Sequence, residues 1–271
     1  MSNVEYDSAE LADFAHSIRT TVLTMCTGRG QGYAGQGLAL ADLMADLFGR
    51  AMRRRPDGSF QDRFVLSTGH SSIALFATLG VLGEYDIEEL ITYGMDGSRI
   101  EESPLEGVPG FEITGGALGQ GLSQALGIAL GERMQGRDTT VYCLISDVEL
   151  QEGQIWEAAM AAGHNKVGNL VLIVDNNQMQ ADGATADVMG VEPVPEKFAA
   201  FGFDAVRIDG HDPVALAQNV PIGGRIADKP LALVLQTVPG RGVPSFEQYR
   251  KVHYIRADQQ TWKRALAELE G

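Results

Sequence analysis

Cysteine is almost missing from this chain. The two present, Cys26 and Cys143, stand apart and lack the spacing of a metal site or a redox motif. A disulfide-built scaffold is thereby excluded, and the pair reads as buried thiols in a reducing compartment. Basic residues are also short: 21 Lys and Arg face 36 Asp and Glu, for a formal net charge of −15. Nucleic acid needs clustered cations that displace counterions from phosphates, so it is excluded as a partner, and the acidic surplus reads as solubility. The one basic run, Arg53-Arg54-Arg55 ahead of Pro56-Asp57-Gly58, reads as a solvated helix end complementing the helix dipole. No apolar run approaches the roughly twenty residues of a membrane span. The first residues carry Glu5, Asp7, Glu10 and Asp13 instead of a basic stretch leading an apolar one. A soluble, cytoplasmic protein without membrane contact is expected. Internal repeats and low-complexity linkers are lacking too.

What is present is enough for a large core. With 271 residues and 44% apolar content, one domain spanning 1–271 is expected. Asp7 and Glu10 form a capping box, and Leu11, Phe14, Ala15, Ile18, Val22 and Met25 recur at helical spacing up to Gly28. Gly30, Gly32, Gly35 and Gly37 predict a flexible turn, followed by a helix from Leu38 to about Met52. Short strands are expected at 64–66, 141–145, 170–174, 205–208 and 231–235. Helices are expected at 72–82, from Gly121 to near Gln135, at 196–201, 213–219 and 259–269, and a long loop at 94–110. Strands alternating with helices predict an α/β fold, a doubly wound parallel sheet flanked by helices.

The most informative stretch runs from Ile145 to Asp182. One apolar run ends in Ser146-Asp147-Val148-Glu149, a helical segment follows, and a second run ends in Asp175-Asn176-Asn177. Right-handed crossover connections place Asp147 and Asn177 together at the carboxyl edge of two neighbouring strands, where such sheets bind ligands. Taken alone, an Asp and an Asn there also suit a structural turn. As hard oxygen ligands they suit Mg²⁺ or Ca²⁺, with a main-chain carbonyl and a diphosphate completing the set.

The pattern resembles the thiamine diphosphate fingerprint, Gly-Asp-Gly followed by Asn-Asn. Glu149-Leu150-Gln151-Glu152-Gly153-Gln154-Ile155-Trp156-Glu157-Ala158 resembles transketolase specifically, as does Pro109-Gly110-Phe111-Glu112-Ile113-Thr114-Gly115-Gly116-Ala117-Leu118-Gly119-Gln120-Gly121-Leu122-Ser123. By that resemblance Asp147, Asn177 and the Met179 carbonyl hold the metal. Gly116 and Leu118 contact the cofactor rings, Val148 and Glu149 are cofactor-binding positions, and His70 in Ser67-Thr68-Gly69-His70 approaches the diphosphate. His253, downstream of Thr237-Val238-Pro239-Gly240-Arg241-Gly242-Val243 and Glu247, matches the family's later active-site histidine, so His70 and His253 are the catalytic candidates. His211, in Asp209-Gly210-His211-Asp212, reads as structural. Glu152 and Glu157 are candidates for a subunit interface or a proton relay, and equally for ordinary helix-surface charges.

The resemblance covers only the first of transketolase's three domains. It implies half of a split enzyme, needing a separate pyrimidine-binding subunit, as an α₂β₂ heterotetramer, to supply the glutamate that activates the cofactor. Four positions depart from the family. Ser146 and Val148 stand where the fingerprint has glycines, and a β-branched Val148 resists a positive φ. Tyr33 and Ser103 replace two histidines that would hold donor hydroxyls, and neither titrates near neutrality. The resemblance implies transfer of a two-carbon ketol or acyl unit from a ketose phosphate or related donor in a specialised pathway. The α subunit of a 2-oxo acid dehydrogenase or decarboxylase, or a non-catalytic scaffold subunit, remain alternatives.

Overall fold

The computed structural model describes residues 7–271; Glu5, part of the acidic start, lies outside them. Helix α1 (Ser8–Arg29) begins with the expected capping box. The Asp7 carboxylate accepts from the N–H groups of Ala9 and Glu10, while Glu10 accepts from the Asp7 N–H. It stops at Gly30, whose φ of 76° closes the last turn in the left-handed conformation. Its apolar stripe of Phe14, Ile18, Val22 and Met25 is buried.

Five parallel strands form the sheet: β1 (Arg63–Leu66), β2 (Val141–Ser146), β3 (Leu170–Asn176), β4 (Asp204–Asp209) and β5 (Leu231–Gln236), in the order β1-β2-β3-β5-β4. Every residue of β2 and β3 is buried. That explains their unbroken apolar runs, because a central parallel strand is covered on both faces. One face packs against α1, α2 (Ala34–Asp46) and α3 (Ser72–Val81). The other packs against α4 (Gly121–Met134), α5 (Gly153–His164) and α6 (Val194–Ala200). Two further helices, α7 (Pro213–Asn219) and α8 (Gln259–Glu270), complete the first layer. Ser146 lies opposite Asp175 in the β2–β3 register, so the residues that follow each strand emerge side by side. Among the described residues no helix is long and apolar enough to cross a membrane.

Two expectations need correction. Gly35 and Gly37 belong to α2, not to a flexible turn, and both serve close packing. A Cβ on Gly35 would stand 2.2 Å from the Val252 carbonyl oxygen, and one on Gly37 would stand 2.8 Å from Val22 Cγ1. The basic run is not a solvated helix end either. Arg53 binds the buried Asp62 through Nε and Nη2 and reaches Asp138 through Nη1, while Arg54 lies 3.9 Å from the Phe60 ring centre. The acid that neutralises Arg53 is nine residues away in a loop, a pairing the helix pattern does not announce.

Two small antiparallel ribbons lie outside the main sheet. Gln31–Gly32 pairs with Ile255–Arg256, and Met179–Gln180 pairs with Gly183–Ala184. Neither is foreseen from the sequence, because two-residue strands carry no readable period. The first ties the segment after His253 to the one before Tyr33.

Candidate active site

Asp147 follows β2 directly. Its N–H donates to the Asp175 carbonyl at 3.0 Å, which fastens the two strand tips together. The carboxylate is buried. Its Oδ2 accepts from the Gln178 N–H at 2.9 Å and from the Thr185 hydroxyl at 3.0 Å, whereas Oδ1 has no partner among the described residues. Burial, reinforced by the Asp175 charge, pushes its pKa up to about 7. A buried carboxylate with a bare oxygen is costly unless a cation or donor meets it. Asp175 has a partner on each oxygen, accepting from Thr237 Oγ1 and, at 2.8 Å, from Asn177 Nδ2. Asn177 Oδ1 accepts from the Met179 N–H at 2.9 Å and keeps a second lone pair. Between them Gln178 takes a φ of 59°, a left-handed conformation unusual for a side chain of its kind. Such strain persists where surrounding contacts over-determine it, here the hydrogen bond from its N–H to Asp147.

The donor set suits a hard divalent cation held in part by an outside ligand. Among the described residues no three His, Cys, Asp or Glu cluster to form an all-protein cage. One carboxylate oxygen, one carboxamide oxygen and one main-chain carbonyl are what Mg²⁺ accepts when phosphate oxygens and water complete its shell. The lost glycine costs nothing here. Val148 opens a single turn of 3₁₀ helix, Val148–Gln151, and among the described non-glycine residues only Lys166 and Gln178 have a positive φ.

Glu149 holds neighbouring loops in place. It is fully buried, and Oε1 accepts from Ser67 Oγ and from the Gly119 N–H at 2.9 Å; Oε2 accepts from the Ser146 N–H at 2.9 Å and from Ser146 Oγ at 3.3 Å. Burial raises its pKa against those four donors. One carboxylate thus ties the loops after β1 and β2 to the turn before α4, and no oxygen is left over for a ligand. The sequence marks Glu149 only as part of a motif; the most distant donor it joins, Ser67, lies 82 positions away.

Gly69 and Gly116 meet across this site. A Cβ on Gly69 would stand 2.5 Å from the Gly116 nitrogen. Gly116 has a φ of 109°, and the nearest side chain to the space beside it is Ser103. Leu118 holds its carbonyl toward Gln154 Nε2 at 3.4 Å. Next to this seam the rings of His70, His253, Tyr33 and Tyr254 cluster. His70 and His253 have centroids 5.1 Å apart, and Tyr33 lies 5.6, 5.5 and 4.8 Å from His70, His253 and Tyr254. Burial, and then the charge of His253, lowers the His70 pKa to about 3, and burial lowers that of His253. Both rings are neutral near pH 7. The Tyr254 hydroxyl donates to Glu102 Oε1 at 2.6 Å, so it is not free to move a proton.

His253 and Tyr254 line a cavity of about 580 Å³ with Arg250, Lys251 and the Gln180–Gly183 bend. The structure therefore gathers Asp147, Asn177 and Met179 at one point, Gly69 (next to His70) and Gly116 at a second, and His70 and His253 at a third. His211 is elsewhere: Nδ1 faces Asp42 Oδ2 at 2.8 Å and Nε2 accepts from the Val238 N–H at 2.8 Å, a structural link as expected. Glu152 and Glu157 are exposed at the start of α5.

An α/β sheet with a buried carboxylate and a carboxamide at adjacent strand tips, and glycine-lined backbone beside them, is an arrangement that suits a metal-held diphosphate. Residues 11–265 match the family described as transketolase, thiamine diphosphate binding domain. The chain belongs to the transketolase family, and this region is its thiamine diphosphate-binding domain. It is 36% identical over 265 residues to 6-deoxy-6-sulfo-D-fructose transketolase subunit SqwG of Clostridium sp., covering 96% of each chain. It is 34% identical to a subunit of the apulose-4-phosphate transketolase of Phocaeicola vulgatus, covering 88% of this chain and 86% of that one. Among solved structures, Campylobacter jejuni transketolase superposes with a TM-score of 0.85 at 29% identity, over 98% of this chain and 43% of that one. The chain thus spans about two fifths of that transketolase but most of the two subunit relatives.

Proposed function

We propose that this chain is the diphosphate-binding subunit of a two-component, cytoplasmic transketolase. As a single domain over residues 1–271 it would act with a separate pyrimidine-binding subunit, as α₂β₂, and move a two-carbon ketol unit from an anionic ketose-type donor to an acceptor in a specialised pathway. The observation that carries the reading is Asp147 Oδ1, buried and unpartnered beside Asn177 and Met179. Coverage of most of two relatives named as subunits supports the split arrangement. Arg250 and Lys251 are exposed at the cavity mouth and form no ion pair among the described residues, which suits a phosphate or sulfonate tail.

When bound, thiamine diphosphate supplies the carbon nucleophile that cleaves a bond next to a carbonyl. Asp147, the Asn177 carboxamide and the Met179 carbonyl would hold Mg²⁺ or Ca²⁺, which neutralises the diphosphate. The backbone of Val148 and Gly116 to Leu118, braced by Glu149, would seat the cofactor. Neutral His70 and His253 would donate hydrogen bonds to diphosphate or donor oxygens. The contribution of these residues is orientation and charge placement. Glu157 and exposed Met160, three positions apart on α5, with exposed Glu152 just ahead of the helix, are the proposed contact with the partner.

Calorimetry with thiamine diphosphate and Mg²⁺, on the chain alone and with a co-expressed pyrimidine-binding subunit, tests the cofactor. No heat in either mixture would leave only a scaffold. Assay of the reconstituted pair with a ketose phosphate against pyruvate then tests the reaction; turnover of pyruvate alone would favour a 2-oxo acid enzyme.

A further inference from the structure

Gln36 is fully buried on α2, and its side-chain hydrogen bond reaches across the fold. Nε2 lies 2.6 Å from His253 Nδ1, a residue 217 positions away, while Oε1 is buried without a partner among the described residues. A carboxamide nitrogen only donates. His253 Nδ1 must then be the bare, accepting nitrogen, and a neutral imidazole carries its hydrogen on Nε2. Packing alone does not explain the amide: a methionine would fill similar space without orphaning a carbonyl oxygen. Turning the amide over would orphan an NH₂ group instead, and a buried donor without a partner is the rarer defect.

We propose that Gln36 sets the tautomer of His253, so that the ring presents Nε2–H to the cavity it lines. His253 then acts as a hydrogen-bond donor toward a donor-sugar oxygen, and Gln36 is its positioning residue. The link to sugar rests on the function proposed above; the tautomer does not. The rings packed on His253, Tyr33 at 85° and His70 at 49°, carry no carboxylate or carbonyl that would compete with Gln36 for its protons. His211 provides an internal reference of the opposite kind. Its Nδ1 faces the Asp42 carboxylate and its Nε2 accepts from the Val238 N–H.

The chain has five histidines, so ¹⁵N-histidine labelling of the full protein and long-range proton–nitrogen correlation will resolve each ring, with His253→Asn assigning the signal. In the unmodified protein at pH 8, His253 should show its proton on Nε2 and His211 on Nδ1. A His253 proton on Nδ1 overturns the proposal without any variant. Gln36→Met, checked for folding by its melting temperature, should give a mixture of tautomers. Gln36→Glu, whose carboxylate only accepts, should move the proton to Nδ1. In neither variant should His211 change, and an unchanged His253 in both overturns the proposal. In the reconstituted pair, Gln36→Met should lower kcat/KM on the order of ten- to a hundredfold with the Mg²⁺–thiamine diphosphate affinity unchanged. Undiminished kcat/KM would refute the positioning role. If the unmodified pair transfers no ketol unit, it is the functional reading that falls, and the spectra still decide the tautomer.

Discussion

Replacing Glu149 by Gln removes a charge and almost no volume, yet the surrounding donors make it a severe change. The carboxylate accepts four hydrogen bonds, two of them from the backbone N–H groups of Gly119 and Ser146, on opposite oxygens. A glutamine keeps one acceptor oxygen and puts an NH₂ in place of the other. Whichever way the amide turns, one backbone N–H faces a second donor. The hydroxyls of Ser67 and Ser146 can rotate to accept; a backbone N–H cannot. An orphaned buried donor costs about 1–3 kcal/mol, and the remaining bonds fall from charge-assisted to neutral strength, roughly another 1 kcal/mol. Relief of the buried charge offsets part of that, so a net loss of about 2–3 kcal/mol is expected, near 5–10 °C in melting temperature for a chain of this size. Protonating the native Glu does not have the same effect, since a carboxyl O–H oxygen still accepts. Circular dichroism melts at pH 8 read the stability, and calorimetric titration with Mg²⁺–thiamine diphosphate reads whether the loosened Gly119 turn weakens cofactor affinity. A Glu149→Gln protein melting within a degree of its parent, with unaltered affinity, would refute the bracing role.

Asp147→Asn should abolish metal-dependent cofactor binding in the same titration while preserving the fold, because the amide keeps the shape but not the charge an Mg²⁺ ion needs. The pH dependence of stability should carry the mark of His70. Its folded pKa of about 3 lies below the ordinary value of 6.5, so the unfolded chain takes up protons first and stability is lost as pH falls from 6.5 toward 3. At pH 5 this amounts to about 2 kcal/mol, and melting curves of His70→Asn should be correspondingly flatter between pH 7.5 and 5. Joint replacement of Arg250 and Lys251 by Ala should raise KM for an anionic donor about tenfold with little change in kcat, an effect that shrinks in high salt. Equal KM values for parent and variant would remove the tail-binding role.

Much of the architecture is legible along the chain because it is local. The capping box at Asp7, the apolar runs of β2 and β3 and the glycine-flanked starts of α3 and α4 each signal within a few residues, and all lie where the pattern puts them. The juxtaposition of Asp147 with the Asn177 turn follows from crossover handedness. What the pattern hides are pairings between distant positions. Glu149 reaches back to Ser67, Arg53 to Asp138, and Gln36 forward to His253, and a one-dimensional period carries no sign of any of them. Gly35 and Gly37 look like hinge residues until the Val252 carbonyl and the Val22 side chain fix their meaning as contact points. Tyr33 looks like a lost histidine; in three dimensions it fills the middle of an aromatic cluster.

The two short ribbons lie outside the buried parallel sheet, one of them lining the cavity and the other following His253 and Tyr254. Residues 179–184 hang from one strand tip, and the stretch around 250–256 is stitched back through Gln31 and Gly32. On the function proposed above, Met179 in one ribbon belongs to the metal set, whereas residues 180–183, 250–251 and 253–254 face the cavity, so choice of sugar would be written in the stretches beyond Met179. Exchanging residues 180–183 and 250–251 between subunits of this kind, with Met179 and the sheet left intact, should then alter which donor is accepted.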